Sequence, residues 1–158
     1  MSDPRWLDDR EEAAWRGLVR MHAGLTAELS RRLAAETSLS YPDYEVLVAL
    51  TDRPDGRSRL YELAEVLGWE RSRVSHHVTR MAARGLVRKV PCETDRRGAF
   101  VVVTPRGRRE IEAAAPGHVA AVRELFVDLL TPAQLDALAG IAAAVRAGLP
   151  EDSRSPAA

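Results

Sequence analysis

ELAEVLGWERSRVSHHVTRMAARGLVRK, residues 62–89, is the stretch of this chain that decides its fold. Leu63, Ala64 and Leu67 recur at helical spacing, and Gly68 can end that helix in the left-handed conformation that glycine adopts without strain. A second helix follows almost at once and ends at Gly85. Its inward-facing positions follow an i, i+3, i+4, i+7 pattern at Val74, His77, Val78 and Met81. Two helices joined by such a tight turn predict a helix-turn-helix motif.

A β-hairpin is predicted directly after this motif. LVRKVPC (residues 86–92) is short and contains β-branched residues, and AFVVV (residues 99–103) has high strand propensity. The intervening ETDRRG is typical of a turn. We therefore predict a two-stranded hairpin that forms the β-wing of a winged helix-turn-helix.

Capping residues place the elements upstream of the motif. Ser40 is a favourable N-cap, with Pro42 in the first turn of a helix that RPDG (residues 53–56) ends. Ser58 is predicted to cap the short helix that follows. The motif is thus preceded by at least one packed helix.

Long helices are predicted at both ends of the chain. The first spans residues 9–35, and Thr104-Pro105 and Thr131-Pro132 each open another. Pro116-Gly117 should kink or divide the helix that contains it. Each helix has a narrow apolar stripe, formed by Trp15, Leu18, His22, Leu25 and Leu29; by Ile111, Ala115, His118, Val122, Leu125 and Leu129; and by Leu135, Leu138, Ile141, Ala142 and Val145.

The predicted fold class is mainly α with a small β-wing. Residues 40–104 form the winged helix-turn-helix lobe, and residues 9–35 and 105–149 form a dimerisation lobe, because their stripes need a partner surface. Residues 1–8 and 150–158 are predicted to be flexible tails. A chain of 158 residues suits one compact domain with such an added lobe.

Charge is segregated along a chain whose formal net charge is zero. Residues 53–109 contain 14 Lys/Arg and 6 Asp/Glu, giving +8, whereas the remainder contains 9 and 17, giving −8. This segregation indicates a polyanionic partner, although a solvated charged surface would show the same counts.

The outer face of the second helix of the motif has the chemistry that duplex DNA requires. Arginine can bind guanine through two hydrogen bonds, and hydroxyl and imidazole groups can contact base edges or phosphates. No Asp or Glu lies between residues 71 and 84. The candidate DNA-binding residues on this recognition helix are Arg71, Ser72, Arg73, Ser75, His76, Thr79, Arg80 and Arg84.

Residues 62–89, together with TDRRGAFVVVTPRG (residues 94–107), resemble the MarR family of winged helix-turn-helix transcription regulators. The resemblance implies that Arg97 enters or lines the minor groove while Asp95 holds it in position, with Arg96 beside them. A local Asp95–Arg97 salt bridge that only stiffens the hairpin is the alternative. The resemblance further implies a homodimer that binds an inverted-repeat operator as a ligand-responsive repressor.

A small anionic aromatic effector is also implied by the resemblance alone. Such a ligand would lie between the dimerisation helices and the DNA-binding lobe, and ordinary core packing is the alternative for the same side chains. The residues expected to line that space are Trp15, Arg16, Val19, His22 and Tyr44.

Other classes of function find little support in the sequence. No glycine-rich phosphate loop, HExxH or GxSxG is present, so the chain is not expected to be an enzyme or to need a cofactor. His22 and His118 are lone histidines, which pack in a core more often than they bind metal, and the single Cys92 cannot form an internal disulfide. With no apolar run of ~20 residues, no membrane association is expected and the protein is predicted to be cytoplasmic. A winged-helix module that binds another protein remains the alternative function.

Overall fold

The computed structural model describes residues 4–92 and 95–149, apart from the side chains of residues 92 and 95–98. Residues 1–3 and 150–158 of the predicted tails therefore lie outside the described residues. The elements in chain order are α1 Asp9–Glu36, α2 Tyr41–Thr51, β1 Arg57–Arg59, α3 Leu60–Leu67, α4 Arg71–Ala83, β2 Val87–Cys92, β3 Asp95–Val103, α5 Pro105–Leu125, a 3-10 turn Val127–Leu129 and α6 Pro132–Gly148.

The core lies where α2, α3 and α4 meet the sheet. Leu47, Leu63, Val74, Val78 and Met81 are all almost fully buried and belong to one cluster. Each such side chain contributes roughly 1.5–3 kcal/mol by leaving water. Because the buried positions of α4 are those predicted, the helix-turn-helix and the rotation of its second helix are confirmed.

The turn between α3 and α4 depends on a left-handed residue. Gly68 has φ 62° and ψ 31°, and the N–H of Trp69 donates to the carbonyl of Ala64. A side chain with a Cβ would strain this conformation, so glycine ends α3 and lets α4 start three residues later.

The sheet has three strands, so the predicted two-stranded hairpin was incomplete. Its order is β1-β3-β2, with antiparallel pairing of Ser58 with Val101 and of Val87 with Val103. Ser58 therefore lies in β1, and its predicted role as the N-cap of α3 was wrong. Its hydroxyl instead donates to Glu62 Oε2 at 3.1 Å, and Glu62 also accepts from the backbone N–H of Arg59. Three polar residues form a strand here because β3 offers a free edge.

Side-chain caps start α2, α5 and α6 as predicted. Ser40 accepts from the N–H of Asp43, Thr104 from that of Gly107, and Thr131 from that of Gln134. Each of these bonds satisfies one of the N–H groups that a helix start leaves without a partner.

Helix α5 continues through Pro116, so of the predicted kink or division at Pro116-Gly117 the division was wrong and the kink stays a prediction. Tertiary packing outweighs the lost hydrogen bond, because α5 runs beside α1. Arg32 donates to both carboxylate oxygens of Glu124 at 2.7 and 3.0 Å, which ties the two helices together. The carboxylate end of Glu36 in α1 lies 2.6 Å from the position that a Cβ on Gly117 would occupy, so α1 reaches α5 at this point as well.

The apolar stripes of α6 and of the first half of α1 are uncovered in the single chain. Trp15 is 59% exposed, Ile141 60% and Val145 58%, and α6 has no buried residue among those described. In the described part of the chain no helix by itself has the length and apolarity to cross a membrane. Residues Pro105–Leu129 and Pro132–Gly148 reach that threshold only as a pair, bent by 104°.

Candidate nucleic-acid interface

Helix α4 presents its predicted polar face to solvent. Ser75 is half-buried, and the other seven candidate residues, Arg71, Ser72, Arg73, His76, Thr79, Arg80 and Arg84, are exposed. The opposite face holds Val74, His77, Val78 and Met81 in the core. The structure therefore brings the predicted recognition residues together on one accessible surface.

Three arginines of this surface have no acidic partner. Within the described ranges, Arg71, Arg73 and Arg80 form no ion pair. The guanidinium of Arg73 lies over the ring of Trp69, 4.1 Å from its centroid, which holds it at the start of α4. Uncompensated positive charge on an exposed helix is suited to a polyanion.

Arg84 contacts the protein itself. Its Nη1 donates to Asp43 Oδ2 at 2.7 Å, and its Nη2 donates to the carbonyl of Ser38 at 2.7 Å. Sequence reasoning placed Arg84 among the DNA-binding residues without predicting this contact, because Asp43 is 41 positions away and gave no local signal. The role of Arg84 in DNA binding stays a prediction.

Asp43 lies buried at the centre of this cluster. Its exposure is 1%, and Oδ1 lies 3.0 Å from Nε2 of His77. Burial by itself would raise the pKa of Asp43, but the close approach of His77 and the hydrogen bonds from Arg84 and Ser40 outweigh burial and lower that pKa below its usual range. The carboxylate is therefore charged at neutral pH.

The wing contributes one basic residue that the sequence analysis missed. Nζ of Lys89, in β2, donates to the hydroxyl of Thr79 at 2.8 Å, which places its charge beside the outer face of α4. The basic pair Arg88-Lys89 directly after the motif was the available signal. The side chains of Asp95, Arg96 and Arg97, the predicted wing contacts, lie outside the described residues, as does that of Cys92.

Comparisons with known proteins identify the family. The MarR family model matches residues 37–98. The crystal structure of Sco3205, a MarR family transcriptional regulator from Streptomyces coelicolor, in complex with DNA, is 37% identical. The match covers 99% of this chain and 98% of that chain, with a TM-score of 0.90. This chain belongs to the MarR family.

Two further solved structures resemble this MarR-family regulator. AbsC, also from Streptomyces coelicolor, is 41% identical, with 91% of this chain and 99% of that chain covered and a TM-score of 0.81. The organohalide-sensing transcriptional regulator in its 2,4-dichlorophenol bound form is 17% identical, with coverage of 91% and 85% and a TM-score of 0.76. At that identity the likeness shows the fold alone. A search of curated proteins found no match.

The MarR fold of this chain leaves an open cleft of about 310 Å³ between α1, α2 and α4. Residues from all three helices face it, including Arg73 of the recognition helix. The lining residues are His22, Thr26, Ser30, Tyr41, Pro42, Glu45, Trp69 and Arg73.

Only His22 of the five predicted pocket residues lines this cleft. Trp15 and Val19 are exposed, and Arg16 pairs with Glu12 on the same helix. Tyr44 is buried against His118, with ring centroids 4.4 Å apart. The role of the other four residues in ligand binding stays a prediction.

The cleft has a mixed electrostatic character. Burial raises the pKa of Glu45, against the opposing influence of Arg73, His77 and His22. Burial likewise raises the pKa of Tyr41, and Glu45 adds to that effect. A ligand would therefore meet two aromatic rings, Tyr41 and Trp69, the guanidinium of Arg73 and the carboxyl group of Glu45.

Proposed function

We propose that this protein is a sequence-specific, double-stranded-DNA-binding transcription regulator that acts as a homodimer on an inverted-repeat operator. The observation that supports this most strongly is the exposed face of α4, where Arg71, Arg73 and Arg80 have no acidic partner among the described residues. An α-helix has the diameter of the major groove, and these side chains match base edges and phosphates.

The uncovered stripes of α6 and of the first half of α1 support the homodimer. A second copy would bury the exposed Trp15, Ile141 and Val145, and the two recognition helices would then be related by a two-fold axis. Paired helices that enter successive major grooves require half-sites about one helical turn, ~10 bp, apart.

Selection of genomic or random DNA fragments by the purified protein tests this proposal. We expect an enriched inverted repeat, protected as two blocks on one face of the duplex. Enriched fragments without two-fold symmetry would contradict the dimeric arrangement. Absence of binding to any duplex at low salt, where phosphate contacts are strongest, would favour the protein-binding alternative.

We also propose that the cleft between α1, α2 and α4 binds a small anionic aromatic effector. Tyr41 and Trp69 offer aromatic surfaces and Arg73 a cation, and Arg73 also belongs to the DNA-binding face. A ligand that binds Arg73 would compete with DNA for this side chain. Such competition is suited to a repressor that leaves its operator when the effector binds. The solved structure in its 2,4-dichlorophenol bound form is of a more distant protein with this fold.

Titration with benzoate, salicylate and 2,4-dichlorophenol tests the effector proposal. We expect at least one of them to release operator DNA and to quench the fluorescence of Trp69. His22→Ala should weaken that response more than operator binding itself. A response that His22→Ala leaves unchanged would place the effector elsewhere.

Because we propose that the protein regulates transcription by binding DNA, we also assign it to the cytoplasm and to a regulatory, non-enzymatic role.

A further inference from the structure

We propose that Asp43, a buried residue of α2, is the positioning residue that sets the pose of the recognition helix α4 for sequence-specific binding. The inference rests on the proposed reading of DNA by α4. Asp43 itself is 1% exposed and cannot reach a duplex, so any effect it has must pass through α4.

The carboxylate of Asp43 is the shared acceptor for groups from two elements. Oδ2 accepts from Arg84 Nη1 at 2.7 Å and from the N–H of Ser40 at 2.9 Å. The Ser40 contact holds the carboxylate in the capping box of α2, so its position does not depend on α4. A buried charge is tolerated only with such partners, and the pairing therefore specifies where Arg84 must lie.

A second contact lies two helical turns earlier on α4. His77 Nε2 is 3.0 Å from Asp43 Oδ1, although its N–H is not aligned for a full hydrogen bond. Contacts at His77 and Arg84 are seven residues apart, about 10 Å along a helix. Two contacts at that spacing fix both the rotation of α4 about its axis and its position along that axis. A single contact would not fix both.

The same cluster orients a DNA-facing arginine. Arg80 Nη2 lies 3.0 Å from His77 Nδ1. Arginine has only donors, so Nδ1 accepts and the ring hydrogen lies on Nε2, which faces Asp43. One guanidinium nitrogen of Arg80 thus contacts His77, and the remaining N–H donors of this exposed side chain are free to bind DNA. Asp43 orients Arg80 through His77.

The end of α4 is also attached to the segment between α1 and α2. Arg84 Nη2 donates to the carbonyl of Ser38 at 2.7 Å, and the hydroxyl of Ser38 donates to Glu110 of α5 at 3.2 Å. The position of α4 is therefore fixed by contacts to the helices of the other lobe as well as by the apolar core beneath it.

Asp43→Asn tests the proposal, because it keeps the size of the side chain and removes its charge. Affinity is measured by fluorescence anisotropy for the selected operator and for a random duplex, at a temperature where circular dichroism shows each variant folded. The operator is first established with the unaltered protein. If the unaltered protein binds no operator, the proposed function fails, and this result is distinct from any effect of Asp43→Asn. We expect the ratio of operator to random affinity to fall about tenfold. Glu124→Gln, which removes a carboxylate charge from α5 that has no contact with Asp43 or its partners, is the matched control and should leave the ratio unchanged.

A double-mutant cycle with Arg80→Ala separates positioning from general stability. If Asp43 orients Arg80, then Arg80→Ala should cost several-fold less operator affinity in the Asp43→Asn background than in the unaltered chain. Additive effects together with an unchanged affinity ratio, even with a lower melting temperature, would overturn the proposal.

Arg84→Gln provides a second route if Asp43→Asn does not fold. Its side chain is 41% exposed, so the change removes one contact of Asp43 without emptying the core. Positioning predicts a fall in operator affinity with little change on random DNA. Equal loss on both duplexes would assign Arg84 to phosphate binding and count against the role of Asp43.

Discussion

Arg73 occupies the first turn of α4, where a recognition helix enters the groove most deeply. The ring of Trp69 supports its guanidinium at 4.1 Å, so the side chain is partly ordered before DNA binds. We expect Arg73→Ala to cost ~1–3 kcal/mol on the preferred operator and much less on random DNA. His76→Ala should act in the same direction. Competition binding measures both, and Arg20→Ala, an exposed arginine of α1, is the control.

His118 gives the fold a predictable response to acid. Its ring lies against Tyr41 and Tyr44, and burial lowers the pKa of His118 below 6.5. The unfolded chain then binds the proton more readily, so stability falls as pH drops below about 6.5 and the loss ends below the folded-state pKa. We expect His118→Gln to flatten the dependence of the melting temperature between about pH 7 and 5. Parallel profiles for the two proteins would contradict this.

The wing is an element whose contribution differs from that of α4. An arginine at the tip of a hairpin responds to groove potential and phosphate more than to base identity. Arg97→Ala should therefore weaken operator and random duplex by similar factors and reduce the slope of log K against log salt by about one. Unchanged affinity at all salt concentrations would remove the wing from the interface.

The junction between α5 and the helix-turn-helix depends on one glycine. A Cβ on Gly107 would collide with the carbonyl oxygen of Leu86 and lie 3.2 Å from Leu47. We expect Gly107→Ala to lower the free energy of unfolding by about 1–3 kcal/mol. Gly24→Ala, on α1 with nothing within 4 Å of the new methyl group in the described chain, should change it by less than about 1 kcal/mol in the stabilising direction. Chemical denaturation compares the two variants.

At the scale of the whole molecule, assembly should depend on α6. Val145 is 58% exposed on the apolar stripe of α6. Val145→Asp should convert the dimer to monomer at micromolar concentration and greatly weaken operator binding, because two half-sites would no longer be bound together. Ala143→Asp, on the opposite side of the same helix, is the control. Sedimentation velocity that shows the Val145→Asp variant still dimeric would contradict the proposed interface.

The sequence by itself determined the helix-turn-helix, the face of α4 that points outward, and most helix starts. These features have local causes: a buried pattern at helical spacing, a glycine with positive φ between α3 and α4, and the capping side chains Ser40, Thr104 and Thr131. Each depends on residues within a turn or two of one another, so one stretch of chain contains all the information.

Only the tertiary structure decided the third strand, the continuity of α5, the place of the cleft and the contacts of Arg84. Ser58 and its neighbours form a strand because β3 lies beside them, and α5 passes Pro116 because α1 packs along it. Arg84 turns inward because Asp43, 41 residues earlier, presents a buried carboxylate at 2.7 Å. Contacts between residues that are far apart in the chain produce no periodic pattern in the sequence. A buried charge needs a partner, and that partner can come from any part of the chain.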